Sequence, residues 1–183
     1  VYAEASFTSL AFSSTREPIE QPQVQTAFWD GNSWQNTAPD ENVNVTFQSA
    51  LTTAGNLSAC NLVINSGNVV VNPGHTLKVL NNVTVAGGSL TFENNASLVQ
   101  VNDLATNSGS IIYKRNTTPM ERFDFTYWSS PVSGQTLFNL SPETLSDKYF
   151  YWDSPSQWWV SFLNGQAILN PGSGYIFRSP QSY

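Results

Sequence analysis

The sequence predicts an all-β protein, in which a short parallel β-solenoid is followed by the start of an aromatic-rich antiparallel β domain. Residues 61–81 and 82–102 match in kind at nearly every position, which gives a repeat of 21 residues. Each repeat holds three short stretches of alternating apolar residues, and Asn, Ser, Gly or Pro separates them. The apolar spacing typical of helices is almost absent.

A fixed register favours a solenoid, because each strand pairs with its equivalent one coil above and stacks on like side chains. The alternative is an ordinary β-sandwich with a chance periodicity. The solenoid interpretation predicts an inward ladder and a glycine corner: Leu62, Val83 and Leu104, and Gly67, Gly88 and Gly109.

The chain divides into four segments that differ in residue composition and pattern. The open ends of a solenoid expose unpaired backbone, so we expect the aromatic-rich segments on either side to cover them. The segments are an N-terminal connector or capping strand (1–26), a W-x-G-x-x-W segment with the solenoid cap or first coil (27–60), the β-solenoid (61–123), and an aromatic-rich β domain that we expect to be incomplete (124–183).

The composition excludes some classes of function. Charged residues make up 11% of the chain, against roughly 25% in an ordinary soluble domain. Seven Lys and Arg residues and a net charge of −6 argue against a nucleic-acid partner. No apolar run approaches the ~20 residues of a transmembrane helix. The chain begins at Val1 without an initiator Met or a signal peptide, which predicts a mature or truncated product.

The sequence shows no catalytic constellation. His75 is the sole histidine and follows Pro73-Gly74, so we expect a solvated turn residue rather than a catalytic base. Cys60 is the sole cysteine, which excludes an internal disulfide and a cysteine cluster for zinc, and we expect it to be a buried small residue. The carboxylates are scattered. We therefore expect no enzyme activity, no catalytic residue, no metal site and no cofactor.

The tryptophans are the residues that could bind a ligand, because aromatic rings stack on the faces of sugars. The candidate stacking residues are Trp158, Trp159 and Trp152. The alternative is that the tryptophans form hydrophobic caps and a second core. Segments 148–152 and 158–162 are predicted to pair as an antiparallel hairpin, in which Trp158 and Trp159 must face opposite sides.

Three segments together resemble large secreted and surface proteins of Bacteroidetes. They are FWDGNSWQNTAP, then LTTAGNLSACNLVINSG with SLTFENNASLVQVND, and then YKRNTTPMERFDFTYWSSPVSGQTLFNLSP with GSGYIF. Such proteins typically carry a C-terminal sorting domain for the type IX secretion system, and no such domain is visible in this sequence. The resemblance implies export through that translocon to the outer surface of a Gram-negative bacterium or to the medium. It brings no catalytic residues.

The leading functional hypothesis is a non-enzymatic exported protein, an adhesin-like scaffold in which the solenoid is a rigid stalk. The alternative is a carbohydrate-binding module or accessory domain of a secreted polysaccharide-degrading enzyme, with surface glycans as partners. A third hypothesis is passive cargo of the secretion system.

Overall fold

In the N-terminal part of the protein, parallel strands pair with their equivalents one coil away. The structure is a computed structural model that describes residues 24–180. In chain order these strands are β1 (Thr26–Trp29), β2 (Trp34–Gln35), β3 (Asn44–Phe47), β4 (Leu51–Thr52), β5 (Leu57–Ala59), β6 (Leu62–Ile64), β7 (Asn68–Val71), β8 (Thr76–Val79), β9 (Val83–Val85), β10 (Ser89–Phe92), β11 (Ser97–Gln100) and β12 (Ile112–Tyr113).

These strands form the three faces of a β-solenoid, as the sequence predicts. The sheet orders are β2-β1-β3-β6-β9, β12-β10-β7-β4 and β11-β8-β5. All neighbours within them run parallel, except that β1 pairs with β2 in antiparallel fashion. The sandwich alternative is thereby excluded, because a sandwich is built from antiparallel hairpins.

The 21-residue repeat is the register of the stack. Leu62 pairs with Val83, and 21 residues also separate each residue of β8 from its partner in β11. The coil below is shorter, because Val45 pairs with Leu62 at an offset of 17 residues. This shorter period explains why the sequence repeat becomes visible only after residue 60.

Aliphatic side chains fill the interior of the solenoid, with two phenylalanines among them. The inward residues of each coil stack on equivalent residues of the next coil, so the core is continuous along the axis. Its buried members are Val45, Phe47, Ala59, Leu62, Ile64, Val69, Val71, Leu77, Val79, Val83, Leu90, Phe92 and Ala96.

The predicted glycine corner is confirmed. Gly67, Gly88 and Gly109 all have positive φ angles, a conformation that costs little only for glycine. A Cβ on Gly88 would lie 1.9 Å from the carbonyl oxygen of Gly67. The corner therefore excludes any side chain because one coil lies directly on the next.

The predicted inward position of Leu104 is wrong, whereas Leu62 and Val83 are buried as predicted. The backbone N–H of Leu104 is bonded to the side chain of Asn102 in a turn, and 90% of Leu104 is exposed. This turn takes up three residues, so Ser108 instead of Ala105 forms the bridge with Thr84. An Asx turn therefore interrupts the ladder in a way that the repeat alone does not reveal.

The third face also stops early. β11 is the last strand of its sheet, and within the described chain no strand covers its free edge. The position 21 residues after Leu98 is Pro119, which has no N–H to donate to a sheet. The chain leaves the solenoid at this point and enters the terminal domain.

The W-x-G-x-x-W segment covers the N-terminal end of the stack. The ring of Trp34 lies 5.3 Å from that of Trp29 and 5.5 Å from that of Phe47, and the Trp29 indole N–H donates to the Ala50 carbonyl. These two tryptophans therefore follow the hydrophobic-cap interpretation. The predicted connector or capping strand at 1–26 lies almost entirely outside the described residues.

The terminal domain is a four-stranded antiparallel sheet with two short helical segments. Its elements are β13 (Phe125–Trp128), α1 (Leu137–Leu140), β14 (Tyr149–Asp153), β15 (Trp158–Ser161), a 3-10 turn (Leu163–Gly165) and β16 (Tyr175–Arg178). The strand order is β13-β16-β14-β15. The predicted hairpin is confirmed, because β14 and β15 pair in antiparallel fashion. In residues 24–180, no helix has the length and apolar character needed to cross a membrane.

Candidate functional site

The terminal sheet carries aromatic rings on both faces. Its strands contain aromatic residues at adjacent positions, as in Phe125-Thr126-Tyr127-Trp128 and Tyr149-Phe150-Tyr151-Trp152, and adjacent residues of a strand point to opposite faces. One face buries Tyr149, Tyr175 and Phe177 against Leu137 and Leu169. The other face carries a separate set of rings.

This second face, which we call the aromatic face, is exposed to solvent. Tyr127 is 77% exposed, and Phe125 and Trp152 are each more than two-fifths exposed. The cross-strand register places its members side by side. They are Phe125 and Tyr127 of β13, Phe150 and Trp152 of β14, Trp159 of β15 and Ile176 of β16.

The rings of the aromatic face contact one another in two groups, one of Tyr127, Trp152 and Trp159 and one of Phe125 and Phe150. Trp152 and Trp159 meet edge to face with centroids 5.3 Å apart. Tyr127 lies 6.0 Å from Trp159, and Phe125 lies 6.1 Å from Phe150. Because these contacts fix the orientations of the rings, the face presents its stacking surfaces with little loss of side-chain freedom on binding.

The structure separates the three tryptophans that the sequence nominates. Trp152 and Trp159 are directly opposed and belong to the aromatic face. Trp158 points to the other side of the sheet, where it is 72% exposed. The prediction that Trp158 and Trp159 face opposite sides is confirmed, and only one of them belongs to the aromatic face.

Sequence reasoning missed Phe125 and Tyr127 of the aromatic face. Their signal was present in the alternation of β13, where Phe125 and Tyr127 share one side. That signal is ambiguous because Trp128 on the opposite side is also aromatic and packs on the core. Only the strand order places β13 beside β16 and completes the aromatic face.

Two arginines lie over the ring of Phe123, which is two residues before the first strand of this sheet. The guanidinium of Arg122 is 4.7 Å, and that of Arg178 is 5.2 Å, from the centre of the Phe123 ring. Both distances are within the range of cation–π attraction. Every lysine in the described chain forms an ion pair with a carboxylate, whereas no described arginine does.

Among the titratable groups, the sequence singled out His75 and Cys60, and the structure also shows hydrogen bonds to the carboxyl of Asp30. The His75 Nδ1 atom lies 2.7 Å from the Thr53 hydroxyl oxygen, far along the chain from the aromatic face. The backbone N–H groups of Ser33 and Asn32 hold the pKa of the Asp30 carboxyl below its usual value. Cys60 is half-buried rather than fully buried, and its Sγ accepts from the Asn81 amide at 3.5 Å.

The residues of the aromatic face supply stacking and apolar contact. Within residues 24–180, no group of three His, Cys, Asp or Glu side chains is arranged to hold a metal ion. The members of the face are five aromatic residues and Ile176, none of which is a carboxylate, an imidazole or a thiol.

Comparison with known proteins gives one family and no named relative. The family described as Domain of unknown function (DUF8693) matches residues 21–183. No curated protein and no solved structure matches the chain.

Proposed function

The chain belongs to the DUF8693 family, and we propose that it is a non-enzymatic exported scaffold that displays the aromatic face beside a rigid β-solenoid. The observation that carries this proposal is the exposure of adjoining aromatic rings on the outer side of the terminal sheet. Contiguous apolar surface of this kind marks sites of interaction, because leaving it in water is unfavourable.

The solenoid supports the role of a stalk. Strand pairing runs along its axis, and backbone hydrogen bonds join each coil to the next. Outward positions such as Val63, Thr84 and Val70 are small or apolar and carry no charge. A stack of this kind keeps the terminal sheet apart from the N-terminal end of the solenoid.

Export is supported by the composition and by the resemblance to Bacteroidetes surface proteins. We propose that the protein is cargo of the type IX secretion system and acts outside the outer membrane of a Gram-negative bacterium. In such a bacterium, protease treatment of intact cells should degrade the protein, or the medium should contain it. Both signals should disappear when the translocon is inactivated. Retention in the cytoplasm of normal cells would contradict the proposal.

The third hypothesis, passive cargo, keeps export through the secretion system but assigns the protein no surface ligand. Co-purification of the protein with translocon components, together with no binding to any surface ligand, would favour it. Release of sugar products from polysaccharides by the purified chain would overturn the non-enzymatic part of the proposal.

A carbohydrate-binding module is the second candidate, and the contact between Trp152, Trp159 and Tyr127 favours it. Rings that are fixed and exposed can stack on the apolar faces of sugar units, and one such ring contributes about 1–2 kcal/mol when it is buried. Because the three rings are tilted relative to one another, they suit a curved or branched chain better than a flat crystalline surface.

A glycan array tests this candidate with a matched pair of tryptophan variants. Trp152→Ala should reduce binding about tenfold or more, because it removes a ring of the face. Trp158→Ala removes an exposed tryptophan of the same hairpin from the opposite side and should leave binding unchanged. Loss with Trp158→Ala alone would place the site on the other side of the sheet, and binding by neither the parent chain nor the variants would exclude this function.

A further inference from the structure

A second candidate site lies at the junction where the chain leaves the solenoid and enters the terminal sheet. Two neighbouring cavities of about 280 and 400 Å³ occur there. They share one wall, which consists of Arg115, Trp128 and Leu140. The smaller cavity approaches the lower limit of the volumes at which proteins bind small molecules.

Arg115 is held rigidly at this wall. Its guanidinium lies 4.1 Å from the centre of the Tyr113 ring. Its Nη1 atom donates to the carbonyl oxygens of Glu93 at 3.3 Å and Lys114 at 2.6 Å, and its Nη2 atom donates to the carbonyl oxygen of Ala96. These bonds fasten the guanidinium to the last coil of the solenoid.

The bonds of Arg115 do not use all of its donors. A guanidinium has five N–H groups, and the three bonds to backbone carbonyls leave two for another partner. Arg115 forms no ion pair within the described residues. A half-buried guanidinium with spare donors and no counter-ion favours an anion, since charge-assisted bonds are stronger than neutral ones.

The surrounding walls contain no competing charge. Neither cavity is lined by an aspartate or a glutamate, although the chain has a net charge of −6. Glu93, whose carbonyl oxygen accepts from Arg115, directs its carboxylate to Lys114 at 2.7 Å. Arg115 is therefore the one charged residue among those that line the two cavities.

The smaller cavity also has the walls that a sugar ring requires. Tyr113 and Trp128 line it with aromatic rings, and Ser129 and Gln135 supply a hydroxyl and an amide. Aromatic surface with a few convergent polar groups is the usual composition of a site for a small polar ring.

We propose that this junction binds a sugar unit that carries a carboxylate, a uronic acid, with the carboxylate on Arg115 and the sugar ring against Trp128. The planar carboxylate suits the free donors of a fixed guanidinium, which bind such groups in pairs. The site does not require the aromatic face to bind anything, so it stands apart from the function proposed above.

Titration of the full chain with glucuronate and with glucose tests the proposal, because the two sugars differ only at the sixth carbon. Binding is followed by the indole N–H signal of Trp128 in NMR spectra. Glucuronate should bind at least about tenfold more tightly than glucose, and the preference should shrink as salt is added. Equal binding of the two sugars would overturn the proposal, as would tighter binding of glucose 6-sulfate than of glucuronate.

Two variants locate the binding determinant. Arg115→Lys keeps the charge but removes the planar pair of donors, so the preference for glucuronate should fall to about threefold or less. Because Arg115 also holds carbonyl groups of the solenoid, its replacement could loosen the fold. Ser129→Asp avoids this difficulty, since Ser129 is exposed at the rim of the cavity and its hydroxyl bonds to no other described residue.

Ser129→Asp should abolish the preference for glucuronate by placing a carboxylate in the cavity. Ser173→Asp makes the same change of charge at an exposed turn outside the cavity and should retain the full preference. Equal loss in both aspartate variants would overturn the proposal, because it would show that the overall charge of the protein controls binding.

Discussion

The solenoid buries a largely aliphatic core, and outward positions such as Val63 and Thr84 are small or apolar. The terminal sheet, by contrast, buries one aromatic face and leaves the other in solvent. In the solenoid, each inward residue stacks on its equivalent in the next coil. In the terminal sheet, Tyr149 and Phe177 are buried while Tyr127 and Trp152 lie exposed on the opposite side.

This difference agrees with the proposed roles of the solenoid as a support and of the aromatic face as a binding surface. A solenoid coil can bury its inward face only against its neighbours, so selection for stacking constrains every repeat. A single sheet with one core needs only one buried face, and its other face is free to bind a partner. We therefore expect changes in the solenoid to act on stability, and changes on the aromatic face to act on binding.

The largest expected effect is at the glycine corner of the solenoid. Gly88→Ala places a Cβ 1.9 Å from the Gly67 carbonyl oxygen and should lower the free energy of unfolding by about 4 kcal/mol or more. Gly74 has a similar positive φ angle but no atom within 4 Å of the new Cβ, so Gly74→Ala should cost only about 1–2 kcal/mol. Urea denaturation measures both variants. Equal losses of unfolding free energy would show that the positive φ angle, rather than the contact between coils, is what requires glycine at the corner.

The next largest effect tests the interrupted ladder. Leu62→Ala should cost about 2–5 kcal/mol, because it leaves a cavity in the closed core. Leu104→Ala should change the free energy of unfolding by less than about 0.5 kcal/mol, because this side chain is exposed in the turn after Asn102. Urea midpoints compare the two variants. A large loss of unfolding free energy in Leu104→Ala would show that Leu104 belongs to an uninterrupted inward ladder, as the repeat predicts.

The smallest expected effect concerns a buried hydroxyl group of the terminal sheet. The buried Tyr149 hydroxyl donates to the carbonyl oxygens of Ser141 and Thr144. Tyr149→Phe should therefore cost about 1–2 kcal/mol at neutral pH. Tyr151→Phe is the control, because the Tyr151 hydroxyl has no hydrogen-bond partner among the described residues.

The same residue gives the terminal sheet a dependence on alkaline pH. Burial raises the pKa of the Tyr149 hydroxyl above its ordinary value of 10.0. The folded state thus holds this proton more tightly than the unfolded state does. The contribution of the Tyr149 hydroxyl to the free energy of unfolding is complete below pH 10 and is lost as the pH rises through the folded-state pKa. Thermal melting should show a decline above pH 10 that is weaker in Tyr149→Phe, and an unchanged decline would assign it to other groups.

Local sequence patterns predicted the parts of this fold that repeat. The spacing of Leu62 and Val83, and of Gly67 and Gly88, gave the register, since a solenoid places each residue on its equivalent 21 positions later. The hairpin of β14 and β15 was equally readable, because two strands joined by a short turn pair locally. Leu104 was predicted wrongly, since one Asx turn shifts the register without disturbing the visible pattern.

The sequence by itself therefore determined the solenoid, its glycine corner and the aromatic character of the terminal sheet. Tertiary structure alone decided which rings are exposed, because adjacent aromatic residues supply both faces and only packing on Leu137 and Leu169 selects the buried one. It also decided the junction, where Arg115 and Trp128 meet Leu140. Such groupings depend on contacts between distant segments, and those contacts follow from the global packing of the chain rather than from any local pattern.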